Sequence, residues 1–189
     1  MPRPMLLSYT ALALLLACTG GGSTGGGEAK TGGGEAPAAP ASAGLALGDI
    51  AGTWYIAENI GGKQASRDWC EASRRSVEVS KDQITVNVGQ EELVYAIGSA
   101  NASGDALQIQ ATMAGSPSPS AHTVRYADAS KKVLVWQEPG GEFWRLEHKE
   151  TLAADGRFLK ACCAGPEGEI GEEYDLVPES QACPPAPAK

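Results

Sequence analysis

Five cysteines, two histidines and a few paired carboxylates are the residues of this 189-residue chain best suited to chemistry. Nucleophilic catalysis would set a serine or cysteine against a histidine, and metal-assisted hydrolysis would place two histidines one helical turn apart. Neither a Gly-x-Ser-x-Gly turn nor a His-Glu-x-x-His helix occurs. His122 opens an alternating segment and His148 follows Glu147, so both are expected at exposed strand ends. Glu91-Glu92 and Glu172-Glu173 flank turns or lie in the C-terminal segment, which predicts solvated charge rather than a general acid and base. Thiolate metal sites use Cys-x-x-Cys spacing, which Cys70, Cys162, Cys163 and Cys183 lack. No catalytic residue, metal site or cofactor is expected. With 15 basic side chains against 23 acidic ones the chain repels a phosphate backbone, so nucleic acid is not an expected partner.

The fate of the cysteines depends on compartment. Arg3 precedes an apolar run from Met5 to Ala17, which as a helix spans about 20 Å. A bilayer core is roughly 30 Å thick, so residues 1–17 read as a secretory signal rather than a membrane span. The run ends Leu15-Leu16-Ala17-Cys18, which resembles the lipobox of bacterial lipoproteins. That resemblance implies cleavage before Cys18 and acylation of its thiol and new amine. Two or more acyl chains make attachment stable. The residue after Cys18 is Thr19 rather than aspartate, which by the same resemblance directs the protein to the outer membrane.

Residues 18–44 hold 10 of the 24 glycines and read as a flexible, disordered linker. Such a coil has an r.m.s. span of roughly 25–30 Å. In an exported chain the four remaining cysteines imply disulfides. Bridging the neighbours Cys162 and Cys163 would strain the peptide between them, so each is expected to find a distant partner. Cys70 would take one and Cys183 the other, stapling residues 161–189, an acidic and proline-rich tail, to the domain before it.

From Leu45 the hydropathy changes to period two. Alternating runs fall at 53–57, 76–80, 84–88, 93–97, 107–111, 122–126, 133–136 and 143–146, with turn residues between them. Eight hairpin-linked strands predict an all-β domain over residues 45–160, an antiparallel up-and-down barrel whose closure removes exposed edges. The expected inward faces are Val77 and Val79; Ile84, Val86 and Val88; Leu93, Tyr95 and Ile97; Leu107 and Ile109; Val124 and Tyr126. For the last two strands the pattern leaves Val133/Val135 with Trp144/Leu146 open against the opposite parity. Val133–Trp136 is apolar on both faces, so something outside is expected to cover it. Residues 59–73 are the longest connection and are expected to fold over a barrel end, and 149–154 fit a helix stopped by Asp155-Gly156.

Gly52-Thr53-Trp54 at the head of the first strand resembles the Gly-x-Trp signature of lipocalins and their calycin relatives. The resemblance implies that Trp54 plugs the closed barrel end beneath an arginine, with Arg145 the first candidate and Arg125 the second. It also implies a site for a small apolar or amphipathic ligand lined by Tyr95, Ile97, Ile109 and Tyr126. The competing expectation is a non-catalytic envelope adaptor that binds another protein through an exposed apolar patch, with Val133–Trp136 the nearest candidate. The partners expected are thus a membrane, through the lipid, and either a small ligand or an envelope protein.

Overall fold

A computed structural model of the protein describes residues 44–164 and 171–186. The signal segment, the lipidation candidate Cys18 and all of the linker except Gly44 lie outside the described residues.

Chain alternation becomes a closed sheet. Gly52–Ile60 forms β1, Lys63–Arg67 β2, Ser76–Val79 β3, Gln83–Asn87 β4, Glu92–Ser103 β5 and Ala106–Met113 β6. Ser120–Tyr126 forms β7, Val133–Gln137 β8 and Phe143–Glu147 β9. Strand β1 and strands β3 to β9 pair antiparallel in sequence order, and β9 returns to β1 through Ile56 opposite Leu146. The result is the expected closed barrel of eight antiparallel strands. The reversal from β3 to β4, Ser80–Gln83, is held by the Ser80 hydroxyl and backbone. Strand β5 runs on to Ser103, and a bulge between Ile97 and Ser99 bends it.

The barrel fills with the residues of the predicted inward faces. Val77, Val79, Ile84, Val86, Leu107, Ile109 and Val124 are all but inaccessible, with Val88, Leu93, Ile97 and Tyr126 packed at the margin. The last two strands combine the parities differently from either alternative. Leu134 pairs with Leu146 and Trp136 with Trp144, and all four face inward. Directly opposed residues of an antiparallel pair share a face, so the choice for one strand dictates the choice for the other. Val133 points outward beside Glu147 and is nevertheless buried.

A second, smaller sheet grows from the barrel wall. The far half of β1 pairs with β2, and β2 pairs in parallel with Phe158–Ala164, strand β10. Glu172–Pro178, strand β11, completes it. The region expected as a single long connection is therefore a hairpin followed by a small bridge from Trp69 to Ala72, and much of the expected tail is strand. Lys149–Ala154 forms helix α1, as expected, and lays Leu152 against Ala57 and Phe158 on the outer face of the barrel. Two disulfides tie this sheet down, Cys70–Cys163 and Cys162–Cys183. Neighbours on a strand point to opposite faces. Cys162 is accordingly buried while Cys163 is exposed, and a bulge separates them.

Candidate functional site

The barrel has a sealed end and an open one. At the sealed end Leu47–Ile50 makes one turn of 3-10 helix whose Ile50 is fully buried. Gly52 follows at φ +115°, a conformation that L side chains rarely adopt, and delivers the chain into β1. Trp54 then faces inward, and its indole N–H donates to the Ile50 carbonyl at 2.9 Å. The Tyr126 hydroxyl donates to the Asp49 carbonyl at 2.9 Å, so Tyr126 braces the plug. Burial, with the Asp49 charge as a second cause, pushes the Tyr126 phenol above its ordinary range.

The side chain over Trp54 is not arginine. Arg145 sits on the outward parity of β9, opposite Ala57 and Val135, and donates to Glu147. Arg125 is also outward and exposed. His148 supplies the cover, its ring centroid 3.7 Å from that of Trp54 and its Nδ1 3.3 Å from the Thr53 carbonyl oxygen. His148→Ala is expected to cost about 1 kcal/mol, the scale of one aromatic pair. Chemical denaturation measures it, and an unchanged midpoint would remove His148 from the plug.

Of the four residues expected to line a ligand site, Ile109 and Tyr95 are buried and Ile97 and Tyr126 half-buried, all within one continuous core. Trp54 and Trp136 are buried in the same core, and Tyr126 also lines a cleft of about 260 Å³ at the sealed end beside Leu45, Asp49 and Lys131. The predicted Val133–Trp136 patch is also absent, because Val133, Leu134 and Trp136 are buried.

Toward the open end the core turns polar. His122 is completely buried, contrary to the expected exposed position, because it occupies an inward parity of β7. Its Nε2 lies 3.4 Å from the Ser120 hydroxyl, and its Nδ1 lies 3.3 Å from the Trp136 indole nitrogen and 3.5 Å from a Glu138 carboxylate oxygen. The order hydroxyl, imidazole, carboxylate is that of an activated nucleophile. The wiring differs, since the Ser120 hydroxyl donates to the Ala111 carbonyl at 3.1 Å. The Trp136 N–H donates toward both His122 Nδ1 and Glu138 Oε1, which fits a His122 tautomer whose Nε2–H is directed to Ser120. Tyr95 closes it edge-on, 5.2 Å from His122, with its phenol pushed up by burial and by the Glu138 charge.

A pocket lies outside this network, at the open end. It is a cleft of about 510 Å³ between the Trp69–Arg75 segment and the turn joining β4 to β5. Trp69, Ala72 and Val88 give it apolar walls, and Glu71, Arg75, Gln90 and Glu91 give it polar ones. The walls are held in place. The Ser73 N–H and hydroxyl both donate to the Gly89 carbonyl, and the Gly89 N–H donates to Asn87 Oδ1 at 2.8 Å. Gly89 stands at φ +107°, and a Cβ there would meet the Ala72 methyl at 3.1 Å, so the close approach of the walls requires glycine. Cys70 anchors the same segment to β10, and a second pocket of about 370 Å³ continues beyond Trp69 to Glu172 and Glu173.

From the sequence, residues 59–73 were expected to fold over a barrel end, but not to form a cleft there with the turn joining β4 to β5. Trp69 and Cys70 mark the segment, but neither their exposure nor the turn they face has a local signature. Among the described residues no group of three His, Cys, Asp or Glu could hold a metal ion, and no helix is long and apolar enough to cross a membrane. Comparison with protein-family models, with curated proteins and with solved structures finds no match to this chain.

Proposed function

We propose that this protein is a non-catalytic binding module, exported and held at the outer membrane by lipid on Cys18, that takes a small amphipathic molecule in the cleft at the open end of its barrel. The carrying observation is the cleft itself. Its volume of about 510 Å³ falls within the usual range of ligand sites, roughly 300–1,000 Å³, whereas the barrel interior is packed with side chains. An indole, a methyl and an isopropyl group beside two carboxylates and a guanidinium suit a ligand with an apolar body and a polar head. The lipocalin resemblance therefore serves the scaffold, and the ligand moves from the core to the rim.

Two measurements test this. Protein extracted from its native membrane should partition into a detergent phase, and Cys18→Ser should shift it to the aqueous phase. Mass analysis of organic extracts of the wild-type protein should find a bound small molecule that Trp69→Ala loses. Aqueous partitioning of the wild-type protein would overturn the anchor, and an extract free of small molecules would overturn the cleft.

A second reading has its own support. Among the described residues Trp69, Met113 and Phe143 are the large apolar side chains left exposed, and Phe143 at 61% is the most accessible of them. Met113 ends β6 and Phe143 begins β9, so the topology sends both toward the open end. A protein partner covering that rim would make the molecule an envelope adaptor, and crosslinking from position 143 distinguishes this from a small ligand alone.

A further inference from the structure

We infer that the open-end cleft selects cations, so that its ligand is an amphiphile carrying an ammonium or guanidinium head rather than a carboxylate or phosphate. The inference rests on the cleft being the binding site and adds the sign of the charge.

The sign follows from which charges are already answered. Arg75 is the one cationic side chain lining the cleft, and its Nη1 donates to Glu58 at 2.8 Å. Both partners are about 30% exposed, so the pair is close to neutral as seen from the cleft. Glu71 and Glu91 have no ion-pair partner among the described residues, although both line the same space. In the adjoining pocket Glu173 is answered by Arg67, and Glu172 is likewise without a partner among the described residues. The unanswered charge around the cleft is thus negative, within a chain whose formal charge is −8. A field of that sign draws cations and repels anions at distances within a Debye length, about 8–10 Å at ordinary salt.

Trp69 adds a surface that recognises the same sign. Its indole is 40% exposed, and the Arg67 guanidinium already lies 3.3 Å from the ring centroid. Arg67, itself paired with Glu173, takes one face of the ring, and a guanidinium or ammonium head is attracted to the indole surface left exposed. The apolar tail of an amphiphile would run along Ala72 and Val88 while its head stays with Glu71 and Glu91.

The test compares three probes that share one octyl chain: octylammonium, octyl glucoside and octanoate, each below its micelle concentration. Two-dimensional NMR follows the amides of residues 69–75 and 88–91 and the Trp69 indole N–H. Octylammonium is expected to bind at least about fivefold more tightly than either other probe at low salt. The preference should shrink at 0.5 M salt, and the double variant Glu71→Gln, Glu91→Gln should bring it to within about twofold. Octanoate or octyl glucoside binding these residues as tightly as octylammonium would overturn the charge selection and leave the cleft as a site. A preference that the double variant does not reduce would also overturn it. No perturbation of these residues by any probe would overturn the cleft itself.

Discussion

Replacing Cys70 and Cys163 by serine is expected to lower the unfolding free energy by about 4–5 kcal/mol. The bond closes a loop across a sequence separation of 93 residues, and chain-entropy reasoning assigns that amount to a loop of roughly this length. Cys162–Cys183, with a separation of 21, is expected to contribute about 3 kcal/mol. Guanidinium titration of the two double-serine variants measures both, and losses below about 1 kcal/mol would show that other contacts already hold the second sheet. The loss should be local before it is global. Neither bond joins two barrel strands, so amide exchange should quicken first in β10, β11 and residues 68–75 while β3 to β9 stay protected. Cys70 borders the cleft, so its variant should also weaken ligand binding, and the Cys162–Cys183 variant much less.

Replacing Arg157 by alanine is expected to cost about 3 kcal/mol, because it strands one of the most deeply buried charges of the described residues. Glu147 is 1% exposed on the outer wall of β9. Arg157 grips it with two bonds, Nη1 to Oε1 at 3.1 Å and Nη2 to Oε2 at 2.7 Å, and Arg145 Nε adds a third at 2.8 Å. Arg157 also donates to the Gln64 carbonyl, so one guanidinium joins β9, β2 and the start of β10. Losing one partner of a buried pair typically costs 3–5 kcal/mol, and the surviving Arg145 places this case at the low end. Glu147→Ala should cost less, since Arg145 is 42% exposed and free to turn to water. Lysine at 157 should rescue little, lacking the planar fork that makes two bonds at once.

The same cluster sets a pH dependence. Burial alone would raise the Glu147 carboxyl, but the bonds from Arg157 and Arg145 outweigh it and hold the group below its ordinary value. A depressed carboxyl stabilises the fold in full above the unfolded glutamate range, about 4.3. That contribution disappears as pH falls through the lower, folded value. Denaturation midpoints of the wild-type protein should therefore drop from pH 5 toward pH 3, and those of Arg157→Ala should drop less. Equal slopes in the two proteins would show that Arg157 does not set the carboxyl's affinity for protons.

Legibility in the sequence followed the range of the interactions. The eight barrel strands were readable because alternation is a property of neighbouring residues, as Ser76-Val-Glu-Val and Ile84-Thr-Val-Asn-Val illustrate. Helix α1 was readable at the same range. The second sheet was not. Lys63-Gln-Ala-Ser-Arg67 carries little apolar alternation, and β10 joins it in parallel across some ninety residues of chain, a pairing no local pattern encodes. His122 was expected at an exposed strand end because it opens an alternating run, and nothing local marks Glu147 as buried. Each is buried because the parity of its strand, and the elements later laid over it, left no other place.

By itself, then, the sequence determined the class of fold, an inward-facing Trp54, and oxidised cysteines with distant partners. Tertiary structure alone decided that Cys163 rather than Cys162 meets Cys70, that His148 rather than Arg145 covers Trp54, and that the barrel is solid. It alone brought Trp69 against the turn at Gly89 to make a cleft. The physical reason is one of distance along the chain. Propensity and periodicity act over a few residues, whereas burial, charge pairing and concave surface are set by which remote segments meet.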